Sequence, residues 1–281
     1  MARRHGAWSR RLLAGIVGGV LFFLMSPLVI VFPLSLSAAA YLTFPPPGWS
    51  LQWFARYFAS RSWIDATVLS IEVAFLTALL SLILGVPLAF VLARCRSRIA
   101  VALLDQLAAL PLVVPSIITA VAIYRLFAPL HLIGAWYGLV LAHTVLALPF
   151  VVVVVTAALR DFDLGLEEAA LGLGAGRGRA ILHVTLPQIR TSLFTAAFFA
   201  FMASFDDLVL ALFLAGSNMT LPKKTFESVM FEIDPTIAAV SVLQILFIVA
   251  VGVAALGFSG MAGRPTRLTR ALRRLPAGFG R

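Results

Sequence analysis

Two adjacent carboxylates, Asp206 and Asp207, lie inside an apolar stretch of the chain. An ionised Asp at the centre of a membrane helix costs about 2.5 to 3.5 kcal/mol on insertion scales, so it is expected to face a cavity or a partner. On one continuous helix Asp206 would share a face with Phe199 and Phe213, where charge and cation–π attraction would hold an organic ammonium. Asp207 would lie about 100° away on an alanine seam and bond a neighbouring helix. The segment is a candidate cation path, with Asp206 preferred to Asp207.

A second stretch is polar and combines an acid, two alanines and a glycine at fixed spacing. Carboxylates crowd the start of a predicted short helix, where the helix dipole favours them. Glycine then breaks that helix, and a second one is predicted over about Arg179–Leu186. Small alanines allow the backbone of a partner to approach, and an exposed carboxylate bonds the partner's donors. The predicted docking residues are Glu168, Ala169, Ala170, Gly174, Val184, Leu186 and Pro187.

These residues must be positioned by membrane helices. Of the 281 residues, 61% are hydrophobic and only 12% are charged, with a mean hydropathy of +1.02, which excludes a soluble protein. Crossing a hydrocarbon core of about 30 Å takes about 20 helical residues. Six stretches satisfy this: about 12–34, 66–92, 108–130, 136–159, 192–214 and 237–257. The prediction is an all-α membrane protein with one domain over 1–281, a polar loop over 160–191 and a basic tail over 264–281.

The basic residues set the orientation. With the N-terminus in the cytoplasm, only five of the 22 Lys and Arg residues fall on the outer side: Arg56, Arg61, Arg125, Lys223 and Lys224. This bias places both termini and the polar loop in the cytoplasm. The net charge of +10 is then explained by topology rather than by nucleic-acid binding. The single cysteine, Cys95, lies between two arginines of a predicted inner loop.

No stretch outside the spans is long enough for a soluble domain of its own. The sequence also lacks a phosphate-binding loop, zinc-ligand spacing and a nucleophile elbow. We therefore expect no cofactor on this chain and an external energy source. Two other classes stay open: an intramembrane enzyme using Asp206 and Asp207, with Glu72 as the one further membrane acid, and a proton-driven secondary transporter.

The polar stretch resembles the signature of permease subunits of bacterial binding-protein-dependent ABC importers: Glu-Ala-Ala, three residues, Gly, nine residues, then Ile-x-Leu-Pro. Val184 stands in the isoleucine position. The resemblance implies a type I ABC importer permease fold in the bacterial inner membrane. It also implies a separate ATPase dimer that binds ATP and Mg, a second permease subunit and a periplasmic solute-binding protein. The polar loop would then couple ATP hydrolysis to transport, and this chain would not be an enzyme.

The cargo is indicated by a second resemblance. The run from Ser204 to Val209, followed by Gly216 and Thr220-Leu221-Pro222, is similar to spermidine/putrescine permeases of the PotC type. A polyamine cation is therefore expected. Ferric ion, phosphonate, an opine or another amine compound is the alternative, because related permeases share this text. Lys223 and Lys224 near the outer mouth oppose a polycation, whereas the lack of a Gly-Glu-Phe-Gly-like run in this helix opposes sulfate or molybdate.

Overall fold

The computed structural model describes residues 2–231 and 234–262. Across these ranges the chain is α-helical, and the single β-type pairing found there is an isolated antiparallel bridge between Ser37 and Trp49. The all-α fold class is confirmed. The basic tail predicted over 264–281 lies outside the described residues.

Most helices follow one another with short connections, and the longest connection, 36–51, joins α1 to α2. They are α1 (Ala2–Ser35), α2 (Gln52–Ala59), α3 (Arg61–Arg94), α4 (Arg98–Val113), α5 (Ser116–Phe127), α6 (Trp136–Arg160), α7 (Leu164–Gly172), α8 (Arg177–Ala180), α9 (Leu186–Gln188), α10 (Arg190–Phe205), α11 (Val209–Leu214), α12 (Leu221–Phe231) and α13 (Thr236–Ala262). A 3-10 turn, Ala128–Leu130, follows α5, and a π-helical turn, Ile181–Thr185, joins α8 to α9.

Four helical stretches of the described chain are long and apolar enough to cross a bilayer: Leu12–Ser35, Arg61–Arg94, Trp136–Arg160 and Thr236–Ala254. The pair α4 and α5 makes a fifth crossing if it is one bent span. At 16 residues, α10 is shorter than a full crossing. The protein is thus a multi-pass membrane protein, and the count of six crossings stays a prediction.

The third predicted span, 108–130, is divided rather than continuous. Pro115 has no N–H to donate, and its ring disfavours helical geometry at the preceding residue. Val114 is accordingly extended, with φ −74° and ψ 131°. The chain turns by 104° between α4 and α5 as a result.

The fifth predicted span, 192–214, is also interrupted, because α10 ends at Phe205 and α11 begins at Val209. The carboxylate of Asp207 accepts a hydrogen bond from the backbone N–H of Leu210 at 2.7 Å. A short acidic side chain satisfies the first N–H groups of a helix in this way. The continuous-helix spacing that placed Phe213 on one face with Asp206 is therefore wrong.

The chain divides into two compact units, of which the smaller combines described residues of 1–67 and 223–248. There the indole N–H of Trp53 donates to the carbonyl of Ser37 at 2.9 Å. The Nζ of Lys224 lies 5.6 Å from the centre of the Trp63 ring, in cation–π geometry. Buried aromatic rings thus organise the segment between α1 and α3.

The larger unit combines described residues of 68–222 and 249–262, with α6 at its centre. Val151 of α6 is fully buried, and a Cβ added at Gly85 of α3 would lie 2.7 Å from its Cγ1. Gly85 therefore allows α3 to approach α6 closely. On α10, Ala196 and Ala200 are fully buried in the same apolar cluster. This core holds both candidate sites, because one lies at the ends of α3 and α6 and the other lies where α10 stops.

Candidate functional site

The Glu-Ala-Ala segment forms a short helix with defined caps at both ends. Asp163 precedes α7 and accepts a hydrogen bond from the N–H of Gly165 at 2.9 Å. At the other end Gly174 has φ +91°. Its N–H donates to Leu171 and that of Ala175 donates to Ala170, at 3.0 and 3.1 Å. This is a Schellman cap, which needs a residue with positive φ and explains the glycine at this position.

The second half of the loop is helical over a longer range than the sequence predicted. It begins at Arg177, passes through the π turn Ile181–Thr185 and continues to Gln188. Pro187 lies inside α9 rather than ending a helix there. Because a proline cannot donate to the carbonyl of the preceding turn, a wider π turn immediately before it is compatible with its ring.

One residue of α7 points into the protein. The carboxylate of Glu167 receives two hydrogen bonds from Arg94 at the end of α3, Nη1 to Oε1 at 2.8 Å and Nη2 to Oε2 at 2.6 Å. The hydroxyl of Thr185, in the π turn, donates to Oε2 at 2.8 Å. The Arg94 guanidinium also lies over the ring of Phe90 at 4.8 Å. We call Arg94, Glu167 and Thr185 the inner clamp.

Charge dominates the chemistry of the inner clamp. Hydrogen bonds from Arg94 lower the pKa of Glu167 below its ordinary value of 4.5, opposed by partial burial and supported by Thr185 and by the charges of Arg94 and Arg177. Bidentate contact between a guanidinium and a carboxylate is strong and directional. Glu167 is therefore ionised at neutral pH and fixed in orientation.

The predicted docking residues lie mainly on the solvent-exposed surface of the loop. Glu168 and Ala169 are exposed, Ala170 is half-buried, and the nearby Leu173 is 89% exposed. In the second half, Val184 and Leu186 are half-buried and Pro187 is exposed. The loop thus keeps its acid and small residues on the surface, where a partner can reach them.

Sequence reasoning missed the inner clamp because it grouped Glu167 with the other acids at the start of α7. The sequence carries one signal that was available: Arg94 ends a long apolar stretch, and an arginine there needs an acidic partner or water. The sequence does not say whether Arg94, Arg96 or Arg98 takes that role. Only the folded chain selects Arg94.

The two carboxylates predicted to meet the cargo lie at the break between α10 and α11. Asp206 is exposed and Asp207 is half-buried. Phe199 is 44% exposed, and its ring stacks on Phe150 with centroids 6.5 Å apart. Phe213, on α11, packs instead against an apolar cluster formed by several helices. Asp206 therefore directly follows α10, the helix that carries Phe199, whereas Phe213 belongs to α11.

Asp207 belongs to a buried polar cluster whose other members, His143 and Ser204, the sequence did not predict. Its Oδ1 lies 4.0 Å from Nε2 of His143, whose Nδ1 is 2.7 Å from the hydroxyl of Ser204. The His143 side chain is only 2% exposed. The sequence predicted no role for His143, although a polar residue inside the apolar stretch that forms α6 was itself a signal.

Comparison with known proteins identifies the family. Residues 85–260 match the model of the binding-protein-dependent transport system inner membrane component. The putrescine permease PotI of Escherichia coli K12 is 34% identical over 79% of this chain and 81% of its own. The spermidine/putrescine permease PotC of Haemophilus influenzae is 30% identical over 72% and 79%. The molybdenum permease ModB of Mycobacterium tuberculosis is 32% identical over 68% and 77%.

Solved structures agree on the fold. A chain from a bacterial ABC transporter that imports the acidic polysaccharide alginate superposes with a TM-score of 0.70 at 15% identity, over 88% of this chain and 95% of that one. The fold is thus that of an ABC importer membrane subunit, as the Glu-Ala-Ala signature implied. With the family model covering most of the chain, this protein belongs to the inner-membrane permease components of binding-protein-dependent ABC importers.

Proposed function

We propose that this permease forms half of the translocation path for a polyamine-like cation such as spermidine or putrescine. The observation that carries the proposal is the similarity to PotI and PotC over most of both chains. The molybdenum permease ModB is similar at a comparable level, so the cargo must be tested directly.

The rest of the machine follows from the family. A second permease completes the path, two ATPase subunits bind ATP and Mg, and a periplasmic binding protein delivers the cargo in the bacterial inner membrane. Six crossings with both termini in the cytoplasm place the 160–191 loop beside the ATPases. Nucleotide-driven closure of the ATPases opens the path outward, and release after hydrolysis opens it inward.

The exposed side of α7 is the surface that meets the ATPase. Glu168 and Ala169 are exposed there, and Ala170 is half-buried beside them. Glu168 accepts hydrogen bonds from the ATPase, and the alanines let its backbone approach. Gly174 keeps this helix short by ending it with a residue at φ +91°.

Asp206 is the carboxylate that meets the cargo. It is exposed at the end of α10, whereas Asp207 is committed to the N–H of Leu210 and lies beside His143. One amine of a polyamine at the break between α10 and α11 pairs with Asp206, and another amine reaches the exposed ring of Phe199, about 10 Å away along α10. Of the two lysines that oppose a polycation by charge, Lys223 is buried and Lys224 lies over the ring of Trp63.

The test begins with the intact complex, purified with its ATPase, second permease and binding protein. Titration calorimetry of the binding protein with spermidine, putrescine, ferric ion, phosphonate and molybdate identifies the cargo, and ATP-dependent uptake in liposomes confirms transport. We expect a polyamine to bind and to be taken up only with ATP. Binding of molybdate or another solute instead would refute the cargo, and uptake by the isolated chain without an ATPase would refute the whole proposal.

A further inference from the structure

The inner clamp is the main attachment of α7 to the membrane helices. Of the nine residues of α7, all of them described, only Glu167 is buried. The apolar side chains of this helix stay near the surface, with Leu164 and Leu166 52% and 44% exposed. Hydrophobic burial therefore does little to hold α7, and the carboxylate of Glu167 must do most of it.

Two segments that are remote from each other in sequence meet on that carboxylate. Arg94 is the last residue of α3, and Thr185 is the last residue of the π turn that leads through α9 into α10. All three bonds to Glu167 are between 2.6 and 2.8 Å. A rigid contact of this kind transmits displacement, whereas loose apolar packing permits sliding.

The surrounding chain stiffens both anchor points. Phe90 and Ala93 of α3 pack, with Leu186 of α9, against an apolar cluster in which Leu159 and Ile189 are buried. Arg94 and Thr185 adjoin this cluster along the chain. The ends of α3, α6 and α10 are thus already joined to one another, and the inner clamp adds α7 to that group.

We propose that Arg94 and Thr185 are positioning residues that transmit the movement of α7 to α3 and α10 through Glu167. This inference rests on the proposed function, because it assumes that the ATPase moves α7. It assigns the two neighbouring acids to opposite tasks: Glu168 faces the ATPase and Glu167 faces the membrane helices. Without the inner clamp, the ATPase still binds α7, but the translocation path no longer opens and closes when α7 moves.

The sharpest test compares two substitutions at one buried position. Thr185→Val keeps the shape of the side chain and loses the hydroxyl, whereas Thr185→Ser keeps the hydroxyl. In the complete complex in liposomes, we expect uptake per ATP hydrolysed to fall about threefold or more for Thr185→Val, since a hydrogen bond to a charged group is lost. Thr185→Ser should restore it. Glu167→Gln should lose about tenfold.

The controls separate a positioning role from a role in folding. Arg96→Ala and Arg98→Ala remove exposed arginines of the same connection and should leave uptake per ATP unchanged. Complex yield and substrate-independent ATP hydrolysis should match the wild type for both Thr185 variants. A wild-type complex without ATP-dependent uptake would refute the proposed function and, with it, this inference.

Two results would overturn the inference while the proposed function stands. One is unchanged uptake per ATP in Thr185→Val. The other is an equal loss in Thr185→Val and Thr185→Ser, because the hydroxyl would then be irrelevant. If Glu167→Gln does not assemble, the Thr185 pair still decides, since neither variant changes the charge of the inner clamp.

Discussion

At Gly174, the effect of backbone conformation on a substitution can be tested separately from the room available for a side chain. A Cβ added at Gly174 would meet nothing within 4 Å, so a larger side chain fits. The same is true of Gly172, the last residue of α7. The difference is that Gly174 has φ +91° and Gly172 does not have a positive φ. Gly174→Ala and Gly172→Ala therefore form a matched pair that differs in backbone strain.

The expected magnitudes have opposite signs. A residue with a Cβ in a left-handed conformation costs about 1 to 2 kcal/mol, so Gly174→Ala should weaken the cap of α7 by this amount. Alanine inside or at the end of a helix is better than glycine by about 0.5 to 1 kcal/mol, so Gly172→Ala should be neutral or stabilising. A loss of 1 to 2 kcal/mol changes the ratio of closed to open cap by a factor of about 5 to 30.

Hydrogen exchange by mass spectrometry reports this ratio directly. The N–H groups of Gly174 and Ala175 make the two bonds of the cap. In lipid nanodiscs, Gly174→Ala should accelerate exchange in peptides covering 170–176 by about 5- to 30-fold, while Gly172→Ala should leave it unchanged or slower. Uptake per ATP should fall only in Gly174→Ala.

Equal exchange rates and equal transport in the two variants would refute the reasoning, because positive φ would then not be what the glycine supplies. Gly174→Asn gives a further check. Asparagine tolerates the left-handed region better than alanine, so its exchange rate should lie between those of the wild type and Gly174→Ala.

Three more predictions concern charge, capping and orientation. Glu167→Gln should lower thermal stability by a constant amount between about pH 8 and 5. The lowered pKa of the Glu167 carboxylate stabilises the fold above pH 4.5, and this contribution is lost as the pH falls through the folded-state pKa. A difference between variant and wild type that already shrinks near pH 6 would contradict this. Asp207→Ala should destabilise the complex by about 1 kcal/mol because the cap of α11 is lost, whereas Asp207→Asn should keep this cap. Asp206→Asn should lower polyamine uptake without changing the melting temperature. The exposed Cys95 should react with a membrane-impermeant maleimide in inverted vesicles and not in intact spheroplasts, and labelling in spheroplasts would reverse the proposed topology.

Much of the fold was accessible from the sequence because it depends on composition and local chemistry. Apolar length predicted the four helical stretches that are long enough to cross a membrane and the bent pair α4 and α5. The steric rule for Pro115 explains why α4 and α5 separate at Val114. The glycine of the motif likewise marks a helix end at Gly174. Each of these features is determined within a few residues.

The remaining features depend on contacts between distant segments. Asp207 interrupts the fifth span because its carboxylate bonds the N–H of Leu210 and lies beside His143 of α6. A helical pattern read through Asp206 cannot anticipate that interruption. Arg94 is selected from three arginines only because α3 ends where Glu167 arrives. Hydrophobic periodicity carries no information about either pairing.

Both sites use two adjacent acids in the same way. Glu167 and Asp207 are held by groups of this chain, and their neighbours Glu168 and Asp206 are exposed. Glu167 and Glu168 are consecutive residues of α7 and point about 100° apart, whereas Asp206 and Asp207 diverge where the chain leaves the helix between α10 and α11. In both pairs one acid is held by the chain and the other is left exposed to a partner. Exchanging the two roles in α7 therefore requires moving the helix start by one residue. Inserting one alanine before Glu167 should rotate Glu167 and Glu168, break the inner clamp and abolish coupled uptake. An alanine inserted after Gly178 should leave the Arg94–Glu167 pair intact, and more of the coupled uptake should remain.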